Sequence, residues 1–169
     1  MPTASSLKSK YRPTLLERLA DPTPIESHEM QPLRLMTVEE LKESVAKDLE
    51  SLLNCRCAPA SDVLDSFPEA LQSIYTYGMH DFVGCSLANP GDRNHICRSL
   101  ERTIAIHERR LKEVRISLSF DNDTVNRLKF TINALLVVHP SAESVYFDAL
   151  LQPSTLQYSV SKTRYAAVV

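Results

Sequence analysis

The chain has 169 residues, of which 43% are hydrophobic, and its formal net charge is -2 with acidic and basic residues interspersed. This length predicts about one domain, since domains commonly contain roughly 100 to 200 residues. The charge balance excludes the broad basic surface that nucleic acid or an anionic membrane surface would require. No apolar run approaches the roughly 18 residues of a membrane helix, and residues 1–10 lack the apolar segment of a signal peptide, so we expect a cytoplasmic protein.

The cysteine pattern favours free thiols. Cys55, Cys57, Cys85 and Cys97 are irregularly spaced in a chain long enough to fold without covalent cross-links. Zinc is an alternative, because His95 and Cys97 repeat the spacing of Cys55 and Cys57. Structural zinc ligands usually come in pairs two to four residues apart on tight turns, whereas these pairs have one intervening residue and fall in or beside predicted helices. We therefore expect no metal and no other cofactor.

Residues 1–36 predict an extended arm, because they hold five of the ten prolines and little sustained periodicity. Within the arm, Pro13 can open a helical turn in which Leu15, Leu16 and Leu19 share one face. So short a helix is marginal in isolation. Its apolar face is therefore expected either to pack on its own domain or to dock on a partner.

Three helices are predicted between residues 37 and 108. A capping box at Thr37 and Glu40 opens the first, which continues to about Cys55. A shorter helix is predicted from Ser66 to a stop at Gly78, and a third after the 89–92 turn, with Asp92 as its cap. The apolar stripes that carry the first and third helices are Val38, Leu41, Val45, Leu49, Leu52 and Leu53, and then Ile96, Leu100 and Ile104.

After the third helix the apolar period changes to two, which predicts strands. They are expected at residues 114–120, 128–138, 145–150 and 156–160, with turns at Asp121–Asp123 and Gln152–Ser154. Residues 135–138 are apolar at every position, which predicts burial on both sides. The expected fold is α+β, with about three helices packed on one face of a mostly antiparallel sheet of about four strands. Residues 37–160 form this domain, and 161–169 are a tail.

Three charged residues, Glu108, Arg109 and Arg110, lie where the helical period gives way to the strand period. They are the candidate functional site. An arginine near a helix C-terminus is stabilised by the helix dipole, typically by about 0.3–1 kcal/mol, so helix capping alone could explain them. Alternatively, Glu108 and Arg110 pair with each other and contact a partner.

Other catalytic or metal-binding motifs are not supported. With 3 glycines the chain has no glycine-rich phosphate loop, and no serine or cysteine lies in a nucleophile motif. Asp121-Asn-Asp123 resembles the start of a calcium loop but lacks the required glycine and closing glutamate, so a hairpin turn explains it better.

The order and spacing of several segments resemble those of TssE subunits, the small wedge subunits of type VI secretion baseplates. These subunits belong with the lysozyme-like phage baseplate wedge proteins. The matching segments are Pro13–Leu19, Val45–Asn54, Phe67–Glu69, Tyr77–Phe82, Glu108–Leu111, and Val145–Asp148 with Tyr158.

This resemblance implies an architectural role without catalysis, in a cytoplasmic baseplate docked at the inner membrane. The implied partners are other wedge subunits, contacted through the Glu108 to Arg110 junction, and contractile sheath subunits, which join through a similar sheet. The family's usual junction motif is Glu-Pro-Arg, and here Arg109 stands where the proline would be. Glu108 and Arg110 carry over, whereas the rigidity that a proline supplies does not.

Two other function classes are compatible with the sequence. One is an unrelated adaptor that binds partners through Leu15, Leu16 and Leu19 and an open sheet edge. The other is a glycan hydrolase with Glu108 as general acid, which would need a second carboxylate about 5–9.5 Å away, such as Asp81 or Glu101. Two arginines directly after Glu108 favour its charged form, which argues against the hydrolase.

Overall fold

The computed structural model describes residues 11–19, 35–57, 64, 66–82, 84–86, 89–120, 128–138, 141–152, 155 and 157–163. This part of the chain has three α-helices and a four-stranded sheet, which confirms the predicted α+β class. The helices are α1 (Leu15–Leu19), α2 (Val38–Asn54) and α3 (Pro90–His107), with two short 3-10 helices at Ala70–Gln72 and Ile74–Thr76. The strands are β1 (Leu111–Phe120), β2 (Leu128–Val138), β3 (Ser141–Gln152) and β4 (Gln157–Lys162).

The chain forms two compact units, residues 1–45 and 46–169, and the division falls within α2. In the first unit, Tyr11 and Met36 form an antiparallel bridge, and each backbone N–H donates to the other's carbonyl at 2.8 and 2.6 Å. Thr14 and Glu17 cap the start of α1 reciprocally, at 2.7 and 3.3 Å between backbone nitrogen and side-chain oxygen. The cap is therefore Thr14, one residue after the proline that the sequence suggested as the helix opener.

The α2 helix begins and is buried as the sequence predicts. The Thr37 N–H donates to Glu40 Oε2 at 2.8 Å, and the Glu40 N–H donates to Thr37 Oγ1 at 3.2 Å, which completes the capping box. Five of the six apolar stripe residues are buried, and Val38 is half-buried. The helix is thus amphipathic, and two of its five acidic residues, Asp48 and Glu50, lie in the half that belongs to the second unit.

The prediction of a shorter helix from Ser66 to Gly78 is wrong, because two separate 3-10 helices lie in that segment. Side chains supply the competing hydrogen bonds: the Ser73 hydroxyl accepts from the Tyr75 N–H at 3.3 Å, and the Thr76 hydroxyl donates to the Leu71 carbonyl at 2.9 Å. Such local bonds offer the backbone an alternative to a continuous helix. The expected apolar face is also not buried, since Ile74 is 84% exposed.

Gly78 ends this segment in a conformation that only glycine adopts readily. Its φ is +113°, and an added Cβ would lie 2.8 Å from the Cys55 carbonyl oxygen. This close approach allows the Met79 N–H to donate to the Cys55 carbonyl and the Cys57 N–H to donate to the Met79 carbonyl, both at 2.9 Å. The glycine therefore ties the end of α2 to the loop that precedes α3.

The α3 helix is capped by Asn89, whereas the sequence suggested Asp92. Asn89 Oδ1 accepts from the Gly91 N–H at 2.9 Å, and Pro90 occupies the first helical position, where its missing N–H costs nothing. Asp92 lies in the first turn and accepts from the Ser86 N–H at 2.8 Å. The predicted stripe of α3 is confirmed by the burial of Ile96, Leu100 and Ile104.

The sheet has the order β1-β2-β3-β4, and every neighbouring pair is antiparallel. Its buried face combines alternate residues of adjacent strands, as where Ile132 pairs with Phe147 and Ala134 with Val145. The prediction that residues 135–138 are buried on both sides is wrong, because Leu136 and Val138 are buried but Leu135 and Val137 are partly exposed. An antiparallel sheet can keep one face accessible to water, and this one does.

A β-bulge near the start of β1 explains why the strand is longer than predicted. The register with β2 shifts between Lys112 and Arg115, and Glu113 has a φ of +52°, which is uncommon for a residue with a side chain. The extra residue lets both Leu111 and Val114 reach the core although they are three positions apart. Because the period of two is interrupted, the sequence indicates the strand only from Val114.

Several predictions fall on residues outside the described part of the chain. These are most of the extended arm (residues 1–10 and 20–34), the turn at Asp121–Asp123, most of the turn at Gln152–Ser154, and the tail beyond residue 163. None of the described helices has the length and apolar character that crossing a bilayer would need.

Replacement of Gly78 by alanine is expected to destabilise the protein by about 2–4 kcal/mol, because a Cβ is disfavoured at this φ and would also clash with the Cys55 carbonyl. Chemical denaturation followed by circular dichroism measures this change. Gly84→Ala is the matched control: its φ is +96°, but nothing lies within 4 Å of the added Cβ, so only the backbone cost of about 1 kcal/mol is expected. Equal losses for the two variants would contradict the role of the close approach.

Candidate functional site

Glu108 forms the corner between α3 and β1. Its backbone N–H donates to the Ile104 carbonyl at 2.8 Å, which closes the last turn of α3, and its carbonyl accepts from the Leu111 N–H at 3.1 Å. The residue is only 7% exposed. A carboxylate buried to this extent requires compensating partners.

Arg110 supplies those partners. Its Nε donates to Glu108 Oε1 at 2.8 Å and its Nη2 to Glu108 Oε2 at 2.5 Å, a two-pronged pairing that matches the planar guanidinium to the carboxylate. The Arg110 backbone N–H also donates to Glu108 Oε1 at 3.1 Å. The Glu108 carboxylate therefore accepts three hydrogen bonds from one residue two positions away.

The same guanidinium reaches a third residue, Asp48 on α2, through an ion pair between Nη2 and Asp48 Oδ2. The backbone carbonyl of Arg110 accepts from the Val137 N–H of β2 at 2.8 Å. We call Asp48, Glu108 and Arg110 the junction cluster. It joins α2, α3 and the first two strands within the second unit.

The electrostatics of Arg110 reflect this arrangement. Burial lowers the pKa of the guanidinium, but hydrogen bonds and charge from Glu108, followed by those from Asp48, outweigh it and raise the pKa overall. Arg110 therefore keeps its charge at any physiological pH. The ion pairs with Glu108 and Asp48 hold the Arg110 side chain in place.

Arg109, the third predicted site residue, differs from its neighbours because it is exposed. Within the described part of the chain, neither its side chain nor its backbone N–H has a hydrogen-bond partner. A proline at this position would therefore lose no hydrogen bond. The backbone on either side of Arg109 is held by the hydrogen bonds of Glu108 and Arg110.

Tyr77 and His107 border the junction cluster. Their rings meet edge to face with centroids 5.4 Å apart, and His107 Nε2 lies 2.8 Å from the Thr76 carbonyl oxygen. Burial raises the pKa of Tyr77, as do the charges of Cys55, Asp48 and Glu108. The 3-10 segment is thus anchored beside the end of α3.

The arrangement does not resemble a pair of catalytic carboxylates. Glu101, one suggested second carboxylate, accepts from the Ile116 N–H at 2.8 Å, which directs it to β1. Asp81, the other, is exposed in the loop before α3 and has an interaction of its own. The carboxylate that does share a partner with Glu108 is Asp48, and an arginine lies between them.

The residues considered for zinc are not assembled into a site. Within the described ranges, no group of three or more His, Cys, Asp or Glu side chains could hold a metal ion, and all four cysteines are free. Burial raises the pKa of the Cys57 thiol. Burial and then the charge of Glu101 raise the pKa of Cys97, against a smaller lowering by a hydrogen bond with the Leu118 backbone.

Both edge strands of the sheet are covered in part by helix side chains. On β4, Asn54 donates to the Tyr158 carbonyl at 2.9 Å and accepts from the Tyr158 N–H at 2.8 Å, and Glu50 accepts from the Val160 N–H at 2.8 Å. We call Asn54 and Glu50 the edge caps of β4. On β1, Glu101 plays the same role for the N–H group of Ile116.

The predicted arm residues lie apart from the junction cluster in sequence and in unit. Leu15, Leu16 and Leu19 are 61, 75 and 73% exposed, so three large apolar side chains of one short helix face water. Their role in binding stays a prediction, as does that of Glu108, Arg109 and Arg110.

Two of the site residues were missed by sequence reasoning. Asp48 lies 62 positions before Arg110, and nothing on the polar face of α2 distinguishes it from Lys47 or Glu50. Asn54 gave no signal either, because its partner is a backbone group. Only the fold brings these residues to their partners.

Comparison with known proteins assigns the sequence to a family. The family model of baseplate wedge protein gp25 matches residues 39–141, more than half of the chain, and this range contains the whole junction cluster. The chain belongs to the gp25 family of baseplate wedge proteins. Comparison with curated proteins gave no match.

One solved structure, "The baseplate complex from the type VI secretion system", contains a chain similar to this gp25 family member. The two are 16% identical with a TM-score of 0.44, and the alignment covers 68% of this chain and 96% of that chain.

Replacement of Arg110 by methionine is expected to destabilise this gp25 family member by about 2–4 kcal/mol, because Glu108 is left buried without its cation. Asp48→Asn is the matched control, with an expected loss of about 1 kcal/mol or less, since the Asp48 side chain is 48% exposed. Urea denaturation measures both. A smaller loss for Arg110→Met than for Asp48→Asn would show that the cluster does not hold the corner together.

Replacement of Asn54 by alanine is expected to speed hydrogen exchange of the Tyr158 amide about tenfold, because that N–H loses its only protecting acceptor at the edge. Exchange measured residue by residue by NMR tests this. Ser51→Ala is the control on the same helix, since the Ser51 hydroxyl bonds only to the Lys47 carbonyl within α2. Unchanged exchange at Tyr158 in Asn54→Ala would rule out edge protection.

Proposed function

We propose that this protein is a structural subunit of a type VI secretion baseplate, where it links other wedge subunits to the base of the contractile sheath and helps to start sheath assembly. The observation that carries the proposal is the gp25 family match over residues 39–141. The ordered segments that resemble TssE subunits, including Glu108 and Arg110 at the junction, support the type VI assignment.

The junction cluster suits a contact surface that keeps its shape. Glu108 and Arg110 are bound to each other and to Asp48, so a partner would meet a corner whose backbone is already fixed. Arg109 projects from that corner and is exposed. We assign the wedge contact to this corner, with Arg109 as the residue most directly available to a partner.

Sheath contact is assigned to a sheet edge. Edge strands are natural templates for a strand from another chain. In this protein a strand that joins β4 has to replace the bonds that Asn54 and Glu50 make to Tyr158 and Val160. Those bonds come from side chains at the helix surface, so they can be exchanged without disrupting the sheet.

The exposed face of α1 supports an additional docking role for the arm. Three leucines of this five-residue helix are exposed to water. A groove that covers them would remove their apolar surface from water, which is favourable. An adaptor outside any baseplate could use the same face, so the identity of the partners decides between the two functions.

Catalysis is not part of the proposal. The Glu108 carboxylate is buried and both of its oxygens accept hydrogen bonds from Arg110, so neither is presented to a substrate. We place the protein in the cytoplasm, in a baseplate docked at the inner membrane through other subunits. Peptidoglycan cleavage by the purified protein that Glu108→Gln abolishes would overturn this assignment.

Arg109→Glu is expected to reduce co-purification with the other wedge subunits by about tenfold while leaving the unfolding midpoint unchanged, because Arg109 has no partner among the described residues to lose. Co-expression followed by affinity purification and quantitative mass spectrometry measures the recovery. Arg115→Glu, a charge reversal at an exposed position of β1, is the control and should retain full recovery.

The same purification from native lysate tests the function class. Recovery of baseplate wedge and sheath subunits supports the proposal. Recovery of unrelated proteins that disappear when Leu15, Leu16 and Leu19 are changed to serine would instead establish an adaptor. Full recovery of wedge subunits by Arg109→Glu would remove the junction from the contact surface.

A further inference from the structure

One face of the α3 helix is buried in the core, and another face borders a cleft. Ile96, Leu100 and Ile104 point into the core, whereas His95, Arg98 and Arg102 line a cleft of about 440 Å³. The rest of the lining comes from residues before α3, among them Leu71 and Thr76 of the 3-10 segment and His80, Asp81 and Phe82 of the loop after it. Small-ligand and peptide-anchor pockets commonly have volumes of about 300–1,000 Å³, so the cleft is large enough for a few side chains of a partner.

The charges of this cleft are strongly unbalanced. Arg98 and Arg102 lie one helical turn apart on the same side of α3, where like charges repel each other. Neither has a hydrogen bond or ion pair with another residue in the described ranges. The only carboxylate in the described lining is Asp81, which already has an interaction of its own. An anion that entered the cleft would relieve the repulsion between the arginines.

The cleft also has apolar walls. Leu71 and Phe82 lie across from the arginines, with Leu64 and Ile106 completing the apolar part. A bare inorganic anion would use only the arginines and leave these walls in contact with water. A peptide that places an apolar side chain between two carboxylates matches both parts of the lining.

We propose that this cleft binds an acidic segment of another baseplate subunit, with carboxylates paired to Arg98 and Arg102 and an apolar side chain against Leu71 and Phe82. The identity of that partner rests on the proposed function, because a baseplate is what supplies the neighbouring subunit. The cleft is separate from the junction cluster, since none of Asp48, Glu108 and Arg110 lines it. The protein would thus contact other baseplate subunits at this cleft in addition to the surfaces proposed above.

Fluorescence anisotropy with a labelled peptide of sequence Asp-Glu-Leu-Asp-Glu tests the cleft directly, using the full-length protein. We expect it to bind about tenfold or more tightly than the neutral peptide Asn-Gln-Leu-Asn-Gln, and the difference to shrink as salt is raised. Arg98→Glu combined with Arg102→Glu should abolish the preference. Both positions are exposed on the helix, so the variant should fold, which circular dichroism checks.

The matched control reverses two exposed cations on β1, Lys112→Glu with Arg115→Glu, which changes the net charge equally and should preserve the preference. An equal loss in both variants would mean that net charge alone attracts the peptide, and would overturn the proposal. Equal binding of the acidic and neutral peptides by the unmodified protein would overturn it as well. This measurement needs no partner subunit, so it can fail or succeed independently of the baseplate assignment.

Photo-crosslinking in the assembled complex then identifies the occupant. A crosslinker at Ser99, which lines the cleft, should capture an acidic segment of another baseplate subunit, and one at Ser117, exposed on β1, should not capture that segment. Capture at Ser99 of a segment without carboxylates, or of none, would refute the proposed occupant. The two proposals can fail separately. If peptide binding depends on Arg98 and Arg102 but Arg109→Glu still recovers the wedge subunits, the cleft proposal stands and only the wedge contact at the junction is refuted.

Discussion

The guanidinium of Arg110 is shared between two carboxylates, and the arrangement of the second unit depends on that sharing. Glu108 ends α3 and is buried, Asp48 belongs to α2, and the Arg110 backbone is hydrogen bonded to β2. Because a buried carboxylate is strongly disfavoured without its cation, the end of α3 and the start of β1 cannot separate freely. The corner is therefore held by charge and hydrogen bonding.

Periodicity predicted the fold wherever burial is one-sided and uninterrupted. The stripe of α2, the stripe of α3 and the alternation of β2 all follow from apolar residues that are buried on one side of their element. The helix predicted from Ser66 to Gly78 did not form, because serine and threonine hydroxyls compete for the backbone hydrogen bonds of that segment. The start of β1 was missed for a different reason: the bulge at Glu113 removes the period that would have revealed it.

The candidate site was only partly predictable. Glu108 and Arg110 could be found because a change of period marks an element boundary, and charges at such a boundary are conspicuous. Asp48 could not, since a polar residue on an amphipathic helix looks the same whether it faces water or an arginine 62 positions away. The cleft beside α3 was equally hidden, because its apolar wall consists of 3-10 turns and loop residues whose placement follows from no local pattern.

The edge caps have a consequence for the subunit before it is assembled. A cell that makes many copies of a protein with two bare strand edges invites those copies to stack into chains or aggregates. Here Asn54 and Glu50 accept from outward N–H groups of β4, and Glu101 accepts from one of β1, so an encounter between two copies must first break these bonds. Only a strand whose side chains also match the sheet compensates for that loss. The caps thus oppose association between the strand edges of free copies.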